Sequence, residues 1–288
     1  MPSTRALKTR IRSVKSTKQI TKAMQMVAAS KMRRAEETDK ASQPYTEASN
    51  ELLAHFASQG VTKGHPAFNK RPIKKRLLIA IASDKGLAGG YNSNVARRVI
   101  SELDADRKAN VSTETIAIGR RIVQVLTRLQ GVEVVGAYED LPDQPDGNEL
   151  NAVLATAYKK FVAEEIDAVD VVYTKFISGI NQVVDMKRVL PAGFVETEVS
   201  DSIREALYEP SAEEVLDGVV YRLVGAQIFQ SYLDGKASEY AQRMVAMKNA
   251  TDNASDLVDD LTLAMNKARQ GAITQELAEI SGGVEAMK

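Results

Sequence analysis

The segment MKNATDNASDLVDDLTLAMNKARQGA, residues 247–272, decides how the two ends of this chain fold. Within it, small or apolar residues recur by alternating steps of four and three, which is the a/d rhythm of a left-handed coiled coil. The positions in this series are Met247, Thr251, Ala254, Val258, Leu261, Met265, Ala268 and Ala272. Several of them are Ala or Thr, so we expect the backbone of a partner helix to approach closely.

The partner helix is predicted at the other end of the chain. Similar steps connect Leu7, Ile11, Val14, Met24 and Val27, with Lys18 and Thr21 in the gap. At about 1.5 Å per residue, helices over 5–58 and 211–287 would extend for roughly 80 Å and roughly 115 Å. Helices of that length must cover each other, and a middle domain has to join their distal ends. The sequence therefore predicts a long antiparallel two-helix coiled coil.

The middle of the chain predicts an inserted three-layer, Rossmann-like α/β domain. Short β-rich runs at 77–82, 115–118, 132–137 and 169–174 alternate with helix-like stretches at 94–108, 120–130 and 149–165. Such alternation favours a mostly parallel sheet with right-handed crossovers. Residues 181–188 are a candidate edge strand, and the acidic residues 139–149 are interpreted as a solvated loop. We divide the chain into an N-terminal coiled-coil helix (1–66), the α/β domain (67–210) and a C-terminal coiled-coil helix (211–288).

Composition argues against several classes of protein. Lys and Arg together number 38, as do Asp and Glu, so no overall field directs the chain to nucleic acid or to an acidic membrane surface. With no cysteine and two histidines, the chain offers no disulfide framework or thiolate metal site, and a His-rich metal site is not expected. The longest apolar run, 77–82, is far shorter than the roughly 20 residues that span a bilayer.

One motif is typical of an enzyme. The glycine-rich segment SDKGLAGGYN, residues 83–92, follows the first β-rich run and precedes a helix, where backbone N–H groups can cradle a phosphate. Its spacing matches neither GxGxxG nor GxxxxGK[ST], and no acidic residue is placed to bind a ribose. The spacing favours a tight turn that needs glycine, and a nucleotide-binding enzyme is kept as an alternative.

The first 35 residues contain ten basic residues and no acidic one. These are Arg5, Lys8, Arg10, Arg12, Lys15, Lys18, Lys22, Lys31, Arg33 and Arg34. A transit peptide, a nucleic-acid-binding arm, a face that docks on acidic loops of a protein partner and a merely solvated face all fit this composition. Composition alone leaves these alternatives open.

Specific stretches resemble the gamma subunit of F-type ATP synthases. IRSVKSTKQITKAMQMVAASKM, residues 11–32, is similar to the opening of that family, and residues 241–254 and 263–280 are similar to its C-terminal helix. The glycine-rich segment 83–92 also resembles the family, although Ala88 stands where many relatives have cysteine. Smaller departures are Gly271, where a larger residue is common, and Val284, where alanine is usual. The likeness covers both ends of the chain and the order of the elements between them.

The resemblance implies a non-catalytic central shaft. Such a shaft rotates inside a ring of three alpha and three beta subunits, and couples proton or sodium flow through the membrane rotor to ATP synthesis or hydrolysis at the beta subunits. The implied partners are alpha and beta subunits (3:3:1), an epsilon subunit and the c-ring, with no cofactor and no nucleic acid. The family also carries its first helix through a site comparable to Pro44, where proline alone is expected to kink or end the helix near Gln43.

The resemblance also implies a location. We expect a peripheral position on the cytoplasmic face of a bacterial inner membrane, with membrane association only through the complex. A bacterial source is favoured because the family motif begins close to Met1. The absence of a cysteine-bearing insertion argues against the light-regulated chloroplast form.

Candidate site residues follow from the same resemblance and form four groups. Contacts with acidic lever loops of the beta subunits are expected at Lys18, Lys22, Met24 and Arg243. A catch near the upper end of the shaft is expected at Arg269, Gln270, Thr274 and Glu276. A tip that turns inside an apolar sleeve is expected at Leu277, Ile280, Val284 and Met287. Tyr208 resembles a foot position near the epsilon subunit and the c-ring.

Overall fold

The computed structural model describes residues 4–143, 145, 147–193, 199–204, 206, 208–209 and 211–286. Its longest elements are α1 (Thr4–Ser58) and α6 (Ala212–Ala286). Contacts divide the chain into a helix-pair unit, Met1–Ala28 with Arg243–Lys288, and a sheet unit, Ala29–Gln242. Within the described ranges, no helix has the length and apolar character needed to cross a membrane.

The helix-pair unit is an antiparallel coiled coil, as predicted. Its apolar cluster joins Leu7, Ile11 and Val14 of α1 to Val258, Leu261, Met265 and Ala268 of α6. Lys18 Nζ donates to Ser255 Oγ at 2.9 Å, and Thr251 Oγ1 donates to Thr21 Oγ1 at 2.7 Å. The partner number falls as the α1 number rises, which defines the antiparallel direction. Polar contacts thus occupy the gap that interrupts the apolar series of α1.

The side of α1 that faces α6 is called the seam here. The predicted a/d series of seam residues on α1 is wrong by one residue after Thr21. Val27 is 55% exposed, whereas Ala28 is 2% exposed and Gln25 is half-buried. Steps of four and three from Thr21 lead to Gln25 and Ala28, so the heptad continues through a polar and a small residue. The larger apolar neighbours Met24 and Val27 gave a misleading signal, because a narrow seam between two helices selects small side chains.

The sheet unit contains one five-stranded sheet in the order β3-β2-β1-β4-β5. The strands are β1 (Lys75–Ile81), β2 (Ser112–Ile118), β3 (Glu133–Tyr138), β4 (Ala168–Phe176) and β5 (Gln182–Leu190). The first four are parallel, and β5 pairs with β4 in the antiparallel direction at the edge. The structure confirms the mostly parallel sheet and the candidate edge strand.

Helices cover both faces of the sheet and make three layers. On one face, α2 (Tyr91–Lys108) and α3 (Arg120–Leu126) pack on alternate residues of β1 such as Leu78 and Ala80. On the other face, Leu77 and Ile79 join a core with α4 (Asn151–Val162) and with parts of α1 and α6. This alternation is the period-two pattern of a strand that is buried on both sides. The four-residue α5 (Asp201–Arg204) precedes α6.

The long helices contribute to the sheet unit as well as to the coiled coil. Phe56 of α1 and Leu223 of α6 are fully buried in the core beside α4. The predicted limits at residues 66 and 210 follow changes in sequence pattern, and that division stays a prediction. The helix α1 runs through Pro44, as the resemblance implied.

Candidate functional site

The residues expected to contact acidic partner loops differ in exposure. Lys22 is exposed, and its Nζ donates to Gln25 Oε1 at 3.2 Å on the same helix. Lys18 is half-buried because its ammonium group reaches Ser255 across the helix pair. Met24 and Arg243 are also half-buried. Of these four side chains, Lys22 presents its charge most openly to the surroundings.

The four expected catch residues all lie on the exposed surface of α6. Arg269, Gln270, Thr274 and Glu276 are exposed, and Thr274 Oγ1 donates to the Gln270 carbonyl at 3.0 Å one turn earlier. Ala268 is the last α6 residue of the apolar cluster that pairs with α1. The coiled coil therefore leaves the catch residues uncovered within the described part of the helix-pair unit.

The expected tip exposes apolar side chains. Leu277 is 60% exposed, Ile280 is 61% exposed, and Ile273 lies one turn earlier with half of its surface exposed. These positions are three to four residues apart, so they share one side of the helix. The side chain of Val284 and the whole of Met287 lie outside the described residues. An exposed apolar stripe of this kind is typical of a surface that a partner covers.

Sequence reasoning missed further exposed apolar residues in the helix-pair unit. They are Ile20 and Met26 on α1, and Val245, Leu257, Leu263 and Ile273 on α6, together with Val27, which was expected in the seam. The available signal was their position outside the a/d series, where a solvated coiled coil usually carries polar residues. These side chains extend the apolar surface over the length of the helix-pair unit.

The charged surface of the helix-pair unit differs between its two helices. Exposed basic residues on α1 are Arg5, Lys8, Arg10, Arg12, Lys15 and Lys22. Over residues 252–260, α6 exposes Asp252, Asp256, Asp259 and Asp260 and carries no basic residue, whereas Lys248, Lys267 and Arg269 are exposed on either side of this stretch. A partner that approaches the α1 side therefore meets a different charge from one that approaches residues 252–260 of α6.

The glycine-rich segment is a connection held by its own side chains. Asn92 Oδ1 accepts hydrogen bonds from the Ser83 backbone N–H and hydroxyl, at 3.1 and 2.9 Å. Asp84 Oδ1 accepts from the backbone N–H groups of Arg120 and Asp140, at 2.9 and 3.1 Å. Gly89 has a φ of 55°, which confirms the predicted turn that needs glycine. The contacts tie together the ends of β1, β2 and β3.

Tyr208 belongs to the sheet unit and packs at the end of α1. Its hydroxyl donates to the Ile203 carbonyl at 3.0 Å, and its ring centroid lies 4.8 Å from that of Phe56. Burial raises the pKa of the Tyr208 phenol. These contacts explain the residue structurally, and its expected role at the foot stays a prediction.

Comparison with known proteins identifies the class first. The family described as ATP synthase matches residues 3–287. Over the whole of both chains, the sequence is 38% identical to the ATP synthase gamma chain of Stenotrophomonas maltophilia (strain R551-3) and 40% identical to that of Ralstonia nicotianae (strain ATCC BAA-1114 / GMI1000). The chain belongs to the gamma-chain family of ATP synthases, as the resemblance indicated.

Solved structures share the fold. A chain of the Euglena gracilis mitochondrial ATP synthase matches with a TM-score of 0.67 and 19% identity, over 99% of this chain and 94% of that one. A chain from the central stalk and c-ring structure of the Tetrahymena thermophila mitochondrial ATP synthase matches with a TM-score of 0.60 and 23% identity. That match covers 80% of this chain and 99% of the other. Both support the combination of long helices with an α/β domain.

Proposed function

We propose that this chain is the non-catalytic central shaft of an F-type ATP synthase. It rotates inside a ring of three alpha and three beta subunits and couples ion flow through a membrane rotor to ATP synthesis or hydrolysis. The observation that carries the proposal is the exposed apolar surface of the helix-pair unit, above all at Leu277 and Ile280. Water disfavours such a surface, so it is stabilised when surrounding subunits enclose it.

Asymmetry gives the shaft its mechanism. Three equivalent beta subunits around one axis cannot all meet the basic surface of α1 and the acidic surface at residues 252–260 of α6 at once. Each beta subunit then experiences a different set of contacts, and its equilibrium between conformations shifts accordingly. Rotation of the shaft presents these surfaces to each subunit in turn, so its contribution is mechanical and no bond is made or broken on this chain.

The predicted contact groups follow from this arrangement. Lys22 and Arg243, with Met24 beside them, attract acidic loops of the beta subunits over a partly wet surface, where the attraction is moderate and screened by salt. Lys18 lies partly in the seam and next to this surface, because its ammonium group donates a hydrogen bond to Ser255. Arg269, Gln270, Thr274 and Glu276 form the catch.

The ends of the shaft have different partners. Leu277, Ile280, Val284 and Met287 turn in an apolar sleeve, where non-directional contact favours no particular angle. Tyr208, the expected foot residue, lies near the epsilon subunit and the c-ring. The complex places the chain on the cytoplasmic face of a bacterial inner membrane as a peripheral subunit.

Assembly tests the proposal directly. The chain is mixed with cognate alpha and beta subunits, and native mass and ATPase activity are measured on the same sample. We expect one copy in a 3:3:1 particle, and loss of activity when residues 272–288 are removed. The control is the full-length chain with the exposed Ser101 replaced by alanine, which should change neither the native mass of the particle nor its ATPase activity. A well-folded chain that joins no alpha–beta particle would contradict the proposal.

Rotation is the second readout. Because the chain has no cysteine, Ser101→Cys supplies a unique thiol on the exposed surface of α2 for an optical probe. With the alpha–beta ring fixed to a surface, ATP should drive the probe around in one direction. A particle that hydrolyses ATP while the probe remains stationary would show that the chain is not the rotating element.

A further inference from the structure

Three loops of the sheet unit approach the long helices at the same position along their length. The loop after β3 places Asp143 against Lys31 of α1 and Tyr240 of α6. A side-chain carbon added to Gly89, in the loop after β1, would lie 3.8 Å from Gln242 Oε1. One added to Gly179, in the turn between β4 and β5, would lie 3.9 Å from the Met32 side chain. The three loops thus reach α1 at 31–32 and α6 at 240–242.

Asp143 makes the strongest of these contacts. Its Oδ2 accepts from Lys31 Nζ at 2.5 Å, and its Oδ1 accepts from the Tyr240 hydroxyl at 2.8 Å. The Lys31 ammonium also lies 5.7 Å from the centre of the Tyr240 ring, which is within range of a cation–π attraction. Lys31 holds the pKa of the Asp143 carboxyl below its usual range, so the carboxylate is charged at neutral pH. One side chain therefore joins both helices to the loop.

The loop that carries Asp143 is anchored to the α/β domain before it reaches the helices. Arg120 Nε donates to Glu139 Oε2 at 3.0 Å, and the same guanidinium pairs with Asp140. The Asp140 backbone N–H donates to Asp84 Oδ1 at 3.1 Å. Leu141 packs against the main core. Glu139, Asp140 and Asp143 are exposed, as expected of a solvated loop, and their contacts also make the segment a short link between the sheet and both helices.

We propose that Asp143 is a positioning residue. Its bridge to Lys31 and Tyr240 resists twisting between the α/β domain and the two long helices, so this bridge is the torsional anchor of the chain. The inference rests on the proposed rotation. The helix-pair unit begins at residues 28 and 243, three residues from each bridged position. A pair of helices can twist about each other, and a bridge that fixes both to one loop removes this freedom. The anchor makes the α/β domain turn with the shaft instead of lagging behind it.

The mechanical test uses the assembled particle with the probe at Ser101→Cys. With the ring fixed and the particle stalled without ATP, the angular spread of the probe reports the torsional stiffness between shaft and α/β domain. Asp143→Asn should broaden this spread, whereas ATP hydrolysis without load should be unchanged. Asp104→Asn is the matched control, because Asp104 is an exposed carboxylate outside this loop and its anchors that pairs with Arg107 of its own helix, α2. An unchanged spread in Asp143→Asn, or equal broadening in the control, would overturn the anchor.

A milder variant covers the case in which Asp143→Asn fails to assemble. Tyr240→Phe removes one hydroxyl and keeps the ring. In the isolated full chain, amide hydrogen exchange over 29–36 and 236–242 should accelerate about fivefold, as expected when a charged hydrogen bond on a half-exposed group is lost. Unchanged exchange would overturn the bridge. If the bridge fails this test but wild-type particles rotate, the proposed function still stands. If wild-type particles never rotate, the proposed function is contradicted as well.

Discussion

At the scale of single residues, Asp234 of α6 is the carboxyl group whose pKa folding raises most clearly within the part of the chain that the structure describes. Burial and the charge of Asp39 on α1 raise its pKa to about 6, and the hydrogen bond from the Phe176 backbone and the nearby Lys175 and Lys187 lower it by a smaller amount. The Phe176 backbone N–H donates to Asp234 Oδ1 at 3.4 Å, a long hydrogen bond. Asp234 therefore connects α6 to the β4–β5 hairpin in a way that depends on pH.

The sign of that dependence is testable. A carboxyl whose folded pKa is raised stabilises the fold fully below its unfolded pKa, near 4, and this contribution is lost as pH rises through about 6. Asp234→Asn removes the cost of ionisation, so it should raise the free energy of unfolding at pH 7.5 by about 1 kcal/mol after solvent screening, and by less at pH 5. Urea titrations at the two pH values measure this. Asp259→Asn, on an exposed site of α6, is the control, and equal effects at both pH values would contradict the assignment.

Gly119 shows how one residue fixes a connection between elements. It lies between β2 and α3 with a φ of 100°, and an added Cβ would collide with the Ala82 carbonyl, at 2.7 Å from its carbon. Gly119→Ala should lower the free energy of unfolding by about 3 kcal/mol or more, because it combines backbone strain with a steric clash. Gly218, in α6 with nothing near its Cβ position, is the matched control. Gly218→Ala should stabilise by up to about 1 kcal/mol in thermal or urea unfolding. Similar losses at both glycines would refute the steric argument.

At the scale of elements, the register of α1 on α6 is defined by a pair of threonines. Thr21 and Thr251 are both buried, and their hydroxyl oxygens are 2.7 Å apart. Cysteines at both positions should form a disulfide readily, since the two hydroxyl oxygens lie 2.7 Å apart and each is bonded to the β-carbon that would carry a sulfur atom in cysteine. The chain has no other cysteine, so gel mobility under mild oxidation gives a clean readout. Lys22→Cys with Thr251→Cys moves one thiol to an exposed position and should stay reduced, and preferential crosslinking of that control would contradict the register.

The elements also show what the sequence could and could not predict. The apolar runs of β1 and β4 were placed within two residues of their ends, because continuous β-rich runs are typical of strands buried on both faces. The polar start of β2 was missed, because the charge of the buried Glu114 is balanced by Lys75 and Lys160, which both pair with it. Those partners lie on other elements and leave no local pattern. The Asp143 bridge was missed for the same reason.

For the candidate site, the sequence predicted which residues lie on the surface better than it predicted which residues they contact. The resemblance named Leu277 and Ile280, and the structure exposes both. It also named Lys18, whose charge the structure places partly inside the seam on Ser255. Motifs identify which residues recur in a family, whereas exposure depends on how two helices are rotated about each other. That rotation is set by small residues such as Ala28, which carry little hydrophobic signal.

At the scale of the whole molecule, the two units differ greatly in the core that each can bury. The sheet unit holds two extensive apolar clusters on the two faces of its sheet. The described part of the helix-pair unit holds a small cluster whose buried members are Leu7, Ile11 and Leu261. Helix propensity alone stabilises a long helix weakly, so the stability of the pair depends mainly on packing. The helix pair should therefore be the least stable part of the isolated chain.

Hydrogen exchange on the full chain, alone and in complex, tests this difference. In the isolated chain, amides over 4–28 and 243–286 should exchange through local opening well before those of β1, β2 and β4, which open only with the sheet. Addition of cognate alpha and beta subunits should slow exchange in the helix-pair unit specifically, because enclosing Leu257, Leu263 and Leu277 supplies the packing that the pair lacks. Strands of the sheet serve as the internal control and should change little. Slow exchange over both helices in the isolated chain would mean that the pair is stable by itself. Enclosure by partner subunits would then not explain the exposed apolar side chains.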